Sequence, residues 1–227
     1  MELALTKDII EWDVVNWGKA LHYWEEHIDL EAKENTCLEL GGRGGGLSLW
    51  MALKSNKVVC SDYKFNEEDA QRLHQKYNCM DAITYEDIDA TSIPYRNHFD
   101  VIAFKSILGG ICRNGNDALK KKTIDEIHAA LNENGKLVFA ENLTSSFLHR
   151  FMRKRFTNWG ATWNYLDYNE IDEVFSSFSK LRYVTYGFFA AFGRSERQRT
   201  ILGKLDNGIA WVVPRSKRYI VVGIAEK

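Results

Sequence analysis

The chain has 227 residues, 45 % of them hydrophobic, which is enough for one large α/β domain with its own core. Thirty basic residues stand against 31 acidic ones, so no overall charge drives it toward nucleic acid. No apolar run approaches the roughly 20 residues needed to span a bilayer, and no membrane partner is expected. The N-terminus lacks the basic-then-apolar order of a signal peptide. Cys37, Cys60, Cys79 and Cys112 are scattered, with neither metal-ligand spacing nor a disulfide framework, and fit a reducing cytoplasm.

Residues 8–30 read as one helix. Trp17, Ala20, Leu21, Trp24 and Ile28 form an apolar stripe at helical spacing, with Asn16 as its N-cap. Trp12, Trp17 and Trp24 read as packing residues, and residues 1–34 as a helical cap. A strand over 36–40 then enters Gly41-Gly42-Arg43-Gly44-Gly45-Gly46, and a helical pattern (Leu47, Trp50, Met51, Leu53) leaves it. Strand, glycine turn and helix is the build of a nucleotide-type cofactor loop, where missing Cβ atoms let backbone approach a ligand. Glu39 stands two residues before the first glycine. A carboxylate there repels phosphate but suits a ligand with a cationic end, such as the amino and sulfonium groups of S-adenosylmethionine. No Gly-Lys-Ser/Thr follows, so the phosphate loop of ATPases is absent.

The second strand, 57–62, ends in Asp62, placed to accept hydrogen bonds from two ribose hydroxyls. A helix at 66–77 and a strand at 82–86 lead through Asp89-Ala90 to Pro94. The apolar strand 99–104 is followed by Lys105, Ser106 and the turn Gly109-Gly110. A helix over 116–131 carries Lys120, Lys121 and Lys122 as a solvated face. Asn134-Gly135 turns into strand 136–140, which ends in Glu141-Asn142. This alternation predicts a doubly wound, mostly parallel sheet, with ligands at the carboxyl ends of its strands. Glu39, Asp62, Asp89, Lys105 and Glu141 all fall at that edge. Beyond it lie a basic, aromatic segment (143–168), a helix (169–178), a strand (181–191), an irregular polar stretch (193–217) and a last strand (219–225). The two late strands predict an antiparallel closing pair.

On these residues the chain resembles the class I S-adenosylmethionine-dependent methyltransferases, well over 36–142 and loosely in the last strands. The family's acid-x-Gly-x-Gly-x-Gly is matched by Glu39, Gly41 and Gly45, while Arg43 stands where the middle glycine belongs. Leu131 to Leu137 resembles the turn before strand five. The resemblance implies a seven-stranded sheet with helices on both faces and an antiparallel last strand. It also implies S-adenosylmethionine as cofactor and S-adenosylhomocysteine as product. Glu39, Gly41, Gly42, Gly45, Asp62, Asp89, Ala90 and Lys105 would surround the cofactor, with Asp89 accepting from the adenine amino group. Trp163 to Asp167 and Tyr219 to Ala225 resemble bacterial methyltransferases of polysaccharide or small-molecule biosynthesis.

Methyl transfer is an in-line displacement, so alignment supplies most of the rate, and an alcohol acceptor also needs a base. Glu141 and His149 are the candidates, with His22 a third if the N-terminal helix caps the site. Some catechol-type relatives hold a divalent metal near Glu141-Asn142. Lys105 would repel it here, so no metal is expected. The basic run His149 to Arg155, with Arg194, Arg197, Arg199 and Lys204, could grip an anionic group. Trp159, Trp163, Tyr165 and Tyr168 could stack on a sugar ring or form core. The expected reaction is O-methylation of a small polar acceptor such as a sugar or phosphorylated sugar. Residues 1–227 then form one domain, with a cap (1–34), a cofactor-binding core (35–142) and acceptor-side insertions (143–168, 193–217). RNA methylation, a dinucleotide oxidoreductase and a non-catalytic binding protein are the alternatives. Nothing in the sequence fixes the oligomeric state.

Overall fold

In the computed structural model, which describes residues 2–156 and 162–227, seven strands make one sheet. They are β1 (Thr36–Leu40), β2 (Lys57–Asp62), β3 (Ile83–Asp87), β4 (Phe99–Lys105), β5 (Leu131–Asn142), β6 (Lys180–Tyr186) and β7 (Ile220–Glu226), in the order β3-β2-β1-β4-β5-β7-β6. β1 to β5 pair in parallel. β7 inserts antiparallel between β5 and β6. The nearly continuous apolar runs of β1 and β4 suit central strands covered on both faces, and the alternating polar patterns of β3 and β6 suit edges. This is the doubly wound sheet with an antiparallel last strand that the sequence predicts. The order reverses between β1 and β4, and such a switch point opens a crevice for ligand.

Ten helices accompany the sheet: α1 (Leu3–Ile10), α2 (Val14–Trp17), α3 (Lys19–His27), α4 (Gly46–Ala52), α5 (Glu68–Lys76), α6 (Leu108–Ile111), α7 (Ala118–Ala130), α8 (Phe147–Phe156), α9 (Ile171–Val174) and α10 (Glu196–Ile209) among the described residues. Each sheet face carries a core. On one face Trp24 and Trp50 pack 5.4 Å apart, and the Trp24 indole donates to the Gly223 carbonyl. On the other, Phe139 stacks on Phe104 and Phe175. Truncating one such aromatic to alanine typically costs about 3–5 kcal/mol.

Several expectations need correction. The helix over 8–30 is three helices: positive φ at Glu11 (69°) and a left-handed Asp13 (φ 46°) break the helix between α1 and α2, and Gly18 separates α2 from α3. Tertiary bonds hold that break. The Glu196 carboxylate accepts from the backbone N–H of Asp13 and Val14, and Lys105 Nζ donates to the Ile10 carbonyl. Asn16 is no cap; it is buried, donating to Asp206 and to the Tyr219 hydroxyl. The stretch 193–217 is not irregular, since α10 fills most of it behind an N-cap at Ser195. The strand expected over 181–191 stops at Tyr186, because Gly187 takes φ 73°. Helix 169–178 shortens to a 3-10 turn and α9. Lys120 is not on a solvated face but buried, paired with Glu170 (2.7 Å) and Asp117 (3.0 Å). Asn134 (φ 63°) does make the expected turn, as a register shift within β5. Among the described residues, no helix is long and apolar enough to cross a membrane.

Candidate active site

A cavity of about 1350 Å³ opens at the carboxyl ends of β1, β2, β4 and β5. Sites for one small molecule usually measure roughly 300–1,000 Å³, so this one has room for a cofactor beside an acceptor. Glu39, Gly41, Gly42, Arg43, Asp62, Asp89, Ala90 and Lys105 line one half.

The glycine loop bends through positive φ at Gly41 (69°), Arg43 (40°) and Gly45 (72°). Arg43 thus keeps the left-handed conformation a glycine would take freely, at a cost of about 1–2 kcal/mol. Its N–H donates to Asp62 Oδ2 at 3.1 Å. A Cβ on Gly46 would lie 2.1 Å from the Ile9 carbonyl oxygen, and one on Gly44 would lie 2.7 Å from the Glu11 carboxylate. On Gly41 it would meet Ile107, and on Gly45 the His74 ring. These glycines therefore make room for the protein itself. The N-terminal segment is seated directly on the loop, which spacing alone does not reveal.

Glu39 is buried. Its carboxylate accepts from the Ser48 N–H (2.7 Å), the Ser48 hydroxyl (2.6 Å) and the Leu47 N–H (3.2 Å), and burial still pushes its pKa up to about 7. Ser48, one turn into α4, escaped the sequence reading. Asp62 Oδ1 accepts from the Tyr63 N–H, and Asp89 Oδ1 from the N–H and hydroxyl of Thr91. Lys105 ties down the N-terminal segment. Its Nζ donates to the Ile10 carbonyl at 2.6 Å, stands 3.8 Å from the Glu11 carboxylate and lies 3.7 Å from the Trp12 ring centre. Burial lowers its pKa to about 8.

The candidate bases lie differently. Glu141 is buried beneath the cavity floor and is not among the lining residues. Its carboxylate accepts from the N–H groups of Leu108 (2.8 Å) and Asn142 (2.7 Å), and burial raises its pKa to about 7. His149 lines the cavity, but both ring nitrogens are engaged. Nε2 faces the Phe188 carbonyl, so it carries the proton, and Nδ1 accepts from the Ser146 hydroxyl. Burial holds its pKa down at about 4. His22 is exposed and pairs with Glu26.

Asp13, unmarked in the sequence because it was read as mid-helix, also lines the cavity. It is only 3 % exposed, and burial raises its pKa to about 7. Oδ2 accepts from the Tyr219 hydroxyl, whereas Oδ1 is buried without a hydrogen-bond partner. Tyr219 in turn accepts from Asn16 and stacks on His149.

Arg113, Arg153, Arg194 and Arg199 line the other half. Arg153 donates to the Leu143 carbonyl and stacks 4.1 Å over Tyr165. Trp163 also lines it, packed so closely on Gly109 that a Cβ there would sit 1.8 Å from its Nε1. Arg197, Lys204 and Tyr168 lie outside the lining, and Trp159 lies outside the described residues. Among the described residues, no group of three or more His, Cys, Asp or Glu could hold a metal ion.

No protein-family model matches the chain, and no curated protein matches it in sequence. Solved structures do match. Phosphoethanolamine N-methyltransferase 2 of Haemonchus contortus, in complex with phosphomonomethylethanolamine and S-adenosylhomocysteine, aligns with a TM-score of 0.64 at 14 % identity. The alignment covers 93 % of this chain and 52 % of that one, so the chain spans about half the nematode enzyme's length. An S-adenosylmethionine-dependent methyltransferase of Thermotoga maritima aligns at 0.63 and 14 % identity, over 95 % of this chain and 91 % of its own. The [4+2]-cyclase SpnF aligns at 0.61 and 14 % identity, over 92 % and 80 %. The chain has the fold of the class I S-adenosylmethionine-dependent methyltransferases.

Proposed function

We propose that this chain is an S-adenosylmethionine-dependent methyltransferase that O-methylates a small polar acceptor carrying an anionic group, such as a phosphorylated sugar. The observation that carries this reading is the division of one cavity into an acid-lined half at the glycine loop and an arginine-lined half beyond β5. The acid half fits the cofactor. Asp62 would take the ribose hydroxyls, Asp89 and Ala90 the adenine, and Glu39 with Gly41 and Gly42 the cationic methionine end, while Gly45, outside the lining, packs against His74. Lys105 would hold the N-terminal segment over it. When bound there, the cofactor supplies a methyl group already activated on a sulfonium.

The chain's own residues then align the acceptor, a contribution of roughly 7–11 kcal/mol when the geometry is right. Arg113, Arg153, Arg194 and Arg199 would grip the anionic group. Asp13 would take the acceptor's hydroxyl proton, because its pKa of about 7 suits a base at neutral pH and its Oδ1 lacks a partner. In this reading His149 and Glu141 position rather than react: His149 supports the Tyr219 ring, and Glu141 holds the start of α6. The phosphorylated ligand of the nematode enzyme favours an anionic acceptor here too.

The test is calorimetric titration with S-adenosylhomocysteine, with NADH as control. Micromolar binding of the first alone supports the reading, and binding of NADH alone overturns it. The match to a [4+2]-cyclase favours a second reading, a reaction other than methyl transfer on the same fold. Turnover across phosphorylated sugars and amino alcohols separates the two.

A further inference from the structure

Helices α8 and α10 border the arginine-lined half of the cavity, and neither helix's outer face is covered. On α8, Phe147, Arg150, Phe151 and Lys154 follow one another at i, i+3, i+4 and i+7, and all are exposed. On α10, Arg197, Ile201, Lys204 and Leu205 do the same at i, i+4, i+7 and i+8. Trp211 and Val212 continue the second face, with Arg215 and Lys217 beside them. Exposure reaches 74 % at Phe147, 61 % at Ile201 and 86 % at Trp211. The two segments are joined: the Ser145 hydroxyl before α8 donates to the Lys217 carbonyl, and α8 packs on the 190–192 turn that abuts α10.

The charge is as lopsided as the hydrophobicity. Residues 145–156 and 193–218 hold eleven Lys and Arg against two acids, whereas the rest of the chain holds 19 against 29; of the eleven, Arg153, Arg194 and Arg199 line the cavity. Both acids point inward. Glu196 caps α2, and Asp206 is buried, accepting from the N–H groups of Phe189 and Ala190.

We infer that this face docks on an anionic lipid surface, the helices lying in the interface with Phe147, Phe151, Ile201 and Trp211 among the headgroups. Interleaved cationic and apolar side chains on one helical face are what such a surface rewards, since each type meets its own layer. A second copy of the chain fits less well, because a two-fold contact would set these cations against their own symmetry mates. RNA would reward the aromatics and the cations, but not exposed Ile201, Leu205 and Val212. The lack of a membrane-spanning segment, on which the sequence reading excluded a membrane partner, bears only on crossing the bilayer.

The experiment is co-sedimentation of the full chain with phosphatidylcholine vesicles and with phosphatidylcholine–phosphatidylglycerol vesicles, with analytical ultracentrifugation of the protein alone. The native chain should pellet with the anionic vesicles only, and added salt should release it. Each cation near an anionic surface is worth a factor of about five in partition, so Arg150→Gln, Lys154→Gln, Arg197→Gln and Lys204→Gln together should weaken binding by roughly several hundred-fold. Phe147→Ser with Trp211→Ser should also abolish pelleting. These side chains are exposed, so circular dichroism and thermal melting should stay native-like. Failure to pellet with anionic vesicles overturns the inference. So does equal pelleting with neutral ones, or a stable dimer that Trp211→Ser dissociates.

Discussion

Asp13→Asn isolates a buried charge whose contribution to stability can be worked from its surroundings. Burial raises the Asp13 pKa from 3.8 to about 7, against the opposing hydrogen bond from Tyr219. The folded protein therefore holds this proton more tightly than the unfolded chain does. Between about pH 4 and pH 7 the native state binds more protons, so stability falls as pH rises. The contribution is fully present below the unfolded value and is lost as pH climbs through about 7. At about 1.4 kcal/mol per pH unit, the gap between the two values amounts to roughly 4 kcal/mol at most. Asparagine keeps an oxygen for Tyr219 and never ionises. The stability of Asp13→Asn relative to the native chain should therefore improve by up to that amount from acid to mildly alkaline pH. Urea unfolding across that range measures it. Tyr219→Phe should raise the native Asp13 pKa further, because it removes the bond that lowers it. A stability gap between Asp13→Asn and the native chain that stays constant with pH would refute the buried-carboxylate argument. In turnover assays Asp13→Asn should lose roughly 10²–10⁴-fold in rate while S-adenosylhomocysteine affinity holds.

Three further perturbations test the architecture. Asp62→Ala should weaken S-adenosylhomocysteine binding by about 1–3 kcal/mol in calorimetry, with folding intact, and unchanged affinity would remove Asp62 from the ribose site. Gly46→Ala would set a methyl group against the Ile9 carbonyl, so thermal melting should show a loss of about 1–3 kcal/mol and proteolysis should release the N-terminal segment sooner. Glu196→Ala strips the carboxylate that caps α2, at an expected cost of about 0.5–2 kcal/mol by urea unfolding.

The parallel core was legible because its signals are local. Apolar runs, a glycine turn and strand-end acids each follow from neighbouring residues, and β1 through β5 lie close to where the sequence puts them. The break between α1 and α2 was not legible. Its apolar stripe is continuous in sequence, and the groups that bend it, Lys105 and Glu196, arrive from far along the chain. Lys120 failed for the same reason, since Glu170 meets it only after folding. Helix α10 hid behind a polar composition whose buried contacts, Gly203 on Val15 and Asp206 on Asn16, lie almost 190 residues away.

The site divides along the same line. The sequence by itself determined the doubly wound sheet and the acids along one of its edges, because continuous apolar runs mark the buried parallel strands and glycine turns mark where they end. Only the tertiary structure decided which of those groups face the cavity. It put Glu141 beneath the floor, engaged both nitrogens of His149, and brought Asp13 to the wall beside Tyr219. Burial and hydrogen-bond partners set the chemistry of a carboxylate or an imidazole, and both are properties of the packed chain.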